Sequence, residues 1–238
     1  MRVKLTLEYD GTGFRGWAAQ PGLRTVEGEV RAALARVYPA WAGLAVAGRT
    51  DAGVHALGQV ASFETDGGPP VERVAEALNA VLAADVAVVE AKEAAVDFHA
   101  RHSARARSYR YRIFRRRTPS PFEARRSWWY PRQIDPAALD AGAALLVGEH
   151  DFRAFTPTET QHEIFSRNVL EARWVERADA LEFEIAADSF LRHMVRTIVG
   201  TMLELAPERL AGLLEGGARA DAGTTAPPWG LYLEHVQY

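Results

Sequence analysis

The order of its periodicities limits this chain more than any single residue does. Residues 3–9 alternate apolar and polar, the period of a half-buried strand. Thr25 stands where a helix N-cap belongs, and Val26, Val30, Ala33, Leu34 and Val37 then share one helical face. Residues 44–48 and 59–63 are short apolar strands flanking a glycine-rich loop. Residues 71–82 read as a second helix and 85–89 as a last strand. Strand, helix, strand, strand, helix, strand is the order of a ferredoxin-like unit.

The second half predicts the same plan with insertions. Residues 108–114 form a strand, followed by a segment interrupted by Pro119 and Pro121. Pro136 opens a helix carrying Leu139, Ala143, Leu145 and Leu146. Residues 168–176 and 181–186 form a hairpin, 190–205 a helix and 231–236 a closing strand. The expected fold is therefore α+β: two tandem ferredoxin-like (RRM-like) β-α-β-β-α-β units, residues 1–104 and 105–238, sharing one extended, mostly antiparallel sheet with a central cleft.

Composition narrows the chemistry. The 238 residues include no cysteine, so disulfides, zinc thiolates and cysteine nucleophiles are excluded. No apolar run approaches the length of a membrane span and no signal peptide is visible, which leads us to expect a cytoplasmic location. The net charge of −3 gives no hint of nucleic acid. Locally the balance is different, because the stretch from Arg101 to Arg117 holds eight arginines and no acid.

Three segments could carry chemistry. In Gly48-Arg49-Thr50-Asp51-Ala52-Gly53-Val54-His55, glycines allow sharp turns beside a cation, a hydroxyl, a carboxylate and an imidazole. Read alone, this fits a turn in which Asp51 bonds local amides as well as it fits a reactive carboxylate. In the second segment, strand alternation sets Tyr109, Tyr111 and Ile113 against Arg110 and Arg112. Such a strand suits RNA, with arginines on phosphates and an aromatic ring under a base. It equally suits an edge strand whose charges deter aggregation. In the third, a continuous helix would put Arg192 and Arg196 on one face, from which an arginine could keep Asp51 ionised. His99 and His102 have an H-x-x-H spacing, but no third ligand stands at a persuasive distance, so no metal is expected.

Together these segments resemble the bacterial tRNA pseudouridine synthase A family over nearly the whole chain. The resemblance rests on Glu8-Tyr9-Asp10-Gly11-Thr12 with Phe14 and Gly16-Trp17, and on the unbroken loop from Gly48 to Ala56. It continues through Asp97-Phe98-His99-Ala100-Arg101 with Tyr109-Arg110-Tyr111, and through Gly148-Glu149-His150-Asp151-Phe152. Phe190-Leu191-Arg192-His193-Met194-Val195-Arg196, Ala226-Pro227 and Gly230-Leu231 complete it. Ala18 and Glu27 stand where relatives often have glutamine, Ala83 where proline is usual, and no cysteine follows Phe155; none of these departures touches the loop.

The resemblance implies a pseudouridine synthase fold with an RNA-binding cleft. It implies an isomerase in which Asp51 is the essential carboxylate, Tyr109 stacks on the target base, Arg49 helps displace the uridine and Arg196 pairs with Asp51. Arg101, Arg110, Arg112 and Arg117 become candidate phosphate ligands. The implied substrate is uridines 38, 39 and 40 of the tRNA anticodon stem-loop, handled by a homodimer without metal or organic cofactor. Two other readings remain: a glycosidase, which needs a second carboxylate from Asp10 or Asp97, and a non-catalytic RNA-binding protein.

Overall fold

A computed structural model describes residues 1–160 and 162–238. In chain order the strands are β1 (Arg2–Tyr9), β2 (Trp41–Val46), β3 (His55–Thr65), β4 (Val86–Glu93), β5 (Ala106–Phe114), β6 (Trp128–Trp129), β7 (Gly148–Asp151), β8 (Ser166–Arg177), β9 (Ala180–Ala187) and β10 (Leu231–Gln237). The α-helices are α1 (Val26–Val37), α2 (Val71–Asn79), α3 (Pro136–Leu145), α4 (Met194–Glu204) and α5 (Pro207–Leu214). The chain divides into two compact units, Met1–Arg105 with Leu233–Tyr238, and Ala106–Tyr232.

In the first unit β1 lies between β4 and β3, and β2 pairs with β3; all three pairings are antiparallel. The alternation of β1 is realised, with Val3, Leu5, Leu7 and Tyr9 buried. Thr25 caps α1 by accepting the Gly28 amide, and Val26, Val30, Ala33 and Leu34 form its buried stripe. α2 stops at Asn79, short of the expected residue 82. The reason is the Asn79 side chain, which both donates to the Val88 carbonyl and accepts the Val88 amide, tying the helix end to β4. β3 is longer than expected and buried along most of both faces, and β10 lies beside it in the sheet.

The last strand was expected to complete the second half. Instead Leu233–Tyr238 belongs to the first unit. There the Arg105 amide donates to the Gln237 carbonyl, and the Tyr238 hydroxyl donates to the Ala100 carbonyl at 2.7 Å.

The second unit contains the strand order β5-β9-β8-β7, antiparallel throughout, with the short β6 parallel to β5. Tyr109, Tyr111 and Ile113 of β5 point into the core as the alternation predicts. β6, β7 and α5 were not anticipated from the sequence. The helix expected over 190–205 begins only at Met194, because His193 adopts a left-handed φ of 62° that cannot continue a helix. Arg192 therefore lies outside the helix, exposed, and does not share a helical face with the half-buried Arg196.

Candidate active site

Asp51 sits half-buried on the loop between β2 and β3, and the loop is clamped against the chain that follows β1. The Trp17 amide donates to the Thr50 carbonyl at 3.0 Å, and the Gly53 amide donates to the Phe14 carbonyl at 3.3 Å. Asp51 is thus bracketed by two main-chain bonds to one neighbouring segment. Two glycines make that approach possible. A Cβ on Gly11 would lie 2.0 Å from the Val54 carbonyl oxygen, and one on Gly16 would lie 2.8 Å from the Thr50 oxygen. Gly16 and Gly53 also adopt positive φ, at 89° and 79°, which side chains with a Cβ resist.

Beneath the loop lies a buried polar network. The Tyr9 hydroxyl and Thr50 Oγ1 are 2.7 Å apart. Gln59 Nε2 donates to the Gly48 carbonyl at 2.7 Å and to the Tyr9 hydroxyl at 3.3 Å. Burial pushes the Tyr9 phenol up to about 12, although the bonds to Thr50 and Gln59 work the other way, so it remains protonated. Fully satisfied networks of this kind fix a single local geometry.

His55, buried at the start of β3, contributes a second tether. Its Nδ1 lies 3.0 Å from the Gly11 amide and 3.2 Å from a carboxylate oxygen of Asp10. The two contacts require opposite protonation at Nδ1. Gly11 is buried and its amide can only donate, so an Nδ1 proton would orphan it. His55 is therefore a neutral acceptor at Nδ1, and the Asp10 oxygen accepts the Thr12 amide instead.

The other expected site residues fall as follows. Arg49, beside Asp51 on the loop, is exposed. Tyr109 and Arg196 belong to the second unit. Tyr109 meets Phe190 edge-on, with ring centroids 4.9 Å apart. Arg196 donates from Nε to the Ala226 carbonyl at 2.8 Å, while its own carbonyl accepts the Ala226 amide, so α4 and the 226 segment are locked together.

Arg110 and Arg112 are engaged by carboxylates. Both donate to the same oxygen of Glu182 on β9, at 2.9 and 2.8 Å, and Arg112 also forks onto Glu123. Arg177 reaches the other Glu182 oxygen. Burial pushes the Glu182 carboxyl up, but the Arg112 bond together with Arg110 and Arg177 outweighs it, and the group is held below its ordinary range. The guanidinium of Arg110 also stacks over the Tyr232 ring at 4.6 Å. Arg101 and Arg117 are exposed.

His99 and His102 form a turn, in which His99 Nδ1 accepts the Arg101 and His102 amides. Among the described residues no group of three or more potential metal ligands is assembled. Nor is any helix among them long and apolar enough to cross a membrane.

Gln59 escaped sequence reasoning. Its only sequence signal is a polar residue inside an otherwise apolar strand run, where a buried amide needs partners.

The sequence pattern of tRNA pseudouridine synthases matches residues 6–103 and 143–238. A tRNA pseudouridine synthase A of Moorella thermoacetica is 46% identical over 243 residues, covering 99% of each chain. The enzyme of the same name from Bacillus subtilis is 40% identical, covering 100% of this chain and 99% of its own. That from Caldicellulosiruptor bescii is 36% identical, covering 99% of both. Agreement at this level, running from the tethered Asp51 loop through to the last strand, shows that the chain belongs to the tRNA pseudouridine synthase family.

Proposed function

We propose that this chain isomerises uridines 38, 39 and 40 of the tRNA anticodon arm to pseudouridine, with Asp51 as the catalytic carboxylate. The observation that carries the reading is the Asp51 loop, bonded to a neighbouring segment on both flanks and underlain by the Tyr9–Thr50–Gln59 network. A carboxylate held that firmly is preorganised for one geometry against a substrate.

The reaction breaks the C1′–N1 bond of uridine, forms a C1′–C5 bond and releases the C5 proton. Substrate and product are isomers, so neither an oxidant nor a group donor enters. Asp51 acts at the sugar, as nucleophile or as proton acceptor. Tyr109 supplies the ring that holds the detached base, Arg49 helps extrude the nucleotide, and Arg196 is the cationic partner of Asp51. Arg101 and Arg117, being exposed, suit phosphate contacts better than Arg110 and Arg112, whose charges are met by Glu182 and Glu123. The proposed working form is a cytoplasmic homodimer needing neither metal nor organic cofactor.

A glycosidase would require a second carboxylate. Asp10 is given over to the Thr12 amide, and Asp97 is exposed, so neither is prepared for that task.

The test is Asp51→Asn, assayed by tritium release from tRNA labelled at uridine C5. We expect a loss of at least about a hundredfold. Pseudouridine positions are mapped in parallel by mass spectrometry after carbodiimide derivatisation. Near-wild-type release by the variant would refute the assignment of Asp51, and modification confined to other uridines would refute the positions.

A further inference from the structure

The segment 115–127 of the second unit combines features that, Arg117 apart, the catalytic reading leaves unused. Phe122 is 88% exposed, which forgoes the burial a phenyl ring normally seeks. Five arginines lie in the segment, at 115, 116, 117, 125 and 126, against one acid, Glu123. That acid is turned inward. Arg112 grips both its oxygens, at 2.9 and 3.2 Å, and lowers its carboxyl from the ordinary value. Arg117, Arg125 and Arg126 are exposed on the same segment as the phenyl ring.

The segment is also braced. The Glu123 and Ala124 amides donate to the Ser120 carbonyl, and the Ser127 amide and hydroxyl donate to the Glu123 carbonyl. Trp129 Nε1 donates to the Arg116 carbonyl at 2.9 Å, and the Tyr232 hydroxyl donates to the Arg126 carbonyl at 2.6 Å. Arg125 is held at a left-handed φ of 61°, a conformation arginine adopts only under constraint. A rigid loop offers its exposed groups with little ordering cost on binding.

We propose that this segment is an RNA-docking finger, in which Phe122 stacks on an unpaired base of the bound tRNA while Arg117, Arg125 and Arg126 hold adjacent phosphates. The inference rests on the proposed tRNA substrate and adds a contact outside the catalytic loop. An exposed planar ring on a segment that carries exposed cations matches single-stranded or looped RNA, whose bases offer a π-face and whose backbone offers anions. A second copy of the chain fits less well, since a two-fold interface here would set arginines against arginines.

The experiment measures binding of an unmodified tRNA transcript to full-length protein carrying Asp51→Asn, so that turnover does not intervene. Adding Phe122→Ala should weaken binding about tenfold, the order of one lost base–aromatic stack, and Phe122→Trp should restore it. Adding Arg125→Gln with Arg126→Gln should flatten the dependence of log Kd on log salt by about one to two. Phe122, Arg125 and Arg126 are all exposed, so the variants should fold as the parent does, and their urea midpoints check this. Affinity within twofold of the parent for Phe122→Ala, or an unchanged salt slope, would overturn the finger. A change of oligomeric state by sedimentation, with RNA affinity intact, would also overturn it by showing a protein interface. If the parent protein bound no tRNA, the functional reading would fall along with the finger; if it bound and only the finger variants were silent, the finger alone would fall.

Discussion

The hydroxyl of Tyr9 lies 2.7 Å from the hydroxyl of Thr50, the residue immediately before Asp51. Both side chains are buried, so the position of the Asp51 loop is set from inside the first unit.

Tyr9→Phe removes that partner and strands the Thr50 hydroxyl. The expected loss of stability is about 1–2 kcal/mol, read from the urea midpoint. Turnover should fall roughly tenfold with little change in KM, because a displaced carboxylate harms the chemical step more than binding. Lower stability with unchanged turnover would mean the pair serves the fold alone.

Gly11→Ala tests the close approach of the loop to its neighbour. The added methyl would sit 2.0 Å from a main-chain oxygen of Val54, an atom that cannot swing away. A destabilisation of about 3 kcal/mol and loss of most activity are expected. Gly22→Ala is the complementary control, since Gly22 has a positive φ, 72°, which Gly11 lacks, and nothing within 4 Å of an added Cβ. It should cost only about 1 kcal/mol and leave turnover intact. An effect at Gly11 no larger than at Gly22 would show that the close approach to Val54 is not what Gly11 supplies.

Glu182→Gln probes the acid that gathers Arg110, Arg112 and Arg177. Removing one member of a buried charge group typically costs about 3–5 kcal/mol, and thermal or urea unfolding at pH 7 should show a loss of that order. The wild type carries the matching pH dependence. Glu182 and Glu123 are both held below the ordinary carboxyl value of 4.5. Their contribution is therefore complete above about pH 4.5 and lost as pH falls through the depressed folded values. Unfolding midpoints between pH 7 and pH 3 should show this acid loss shrinking in the variant. An identical acid profile would deny Glu182 that role.

Much of the first unit could be read directly from its sequence, because its elements alternate cleanly and its helix caps are local. The Asp51 loop was legible as a motif, but its tethering was not. Gly11 and Val54 are distant in sequence, and nothing in the string announces that their backbones touch. The arginine-rich strand was misleading for the same reason. A window from Arg101 to Arg117 contains no acid, yet the carboxylates that engage Arg110 and Arg112 arrive from Glu123 and from Glu182 on a neighbouring strand. The start of α4 was lost to one backbone angle. His193 turns left-handed within a run whose apolar spacing is helical from residue 191 onward.

The placement of Leu233–Tyr238 beside β3 bears on how the molecule is made. When residues 1–105 have left the ribosome, β3 still lacks the strand that will lie along it, and Arg105 and Ala100 still lack their bonds to Gln237 and Tyr238. Synthesis must run through the entire second unit before that gap is filled. The half of the molecule bearing Asp51 is begun first and finished last, so a nascent chain arrested between the two units holds the Asp51 loop on an incomplete sheet.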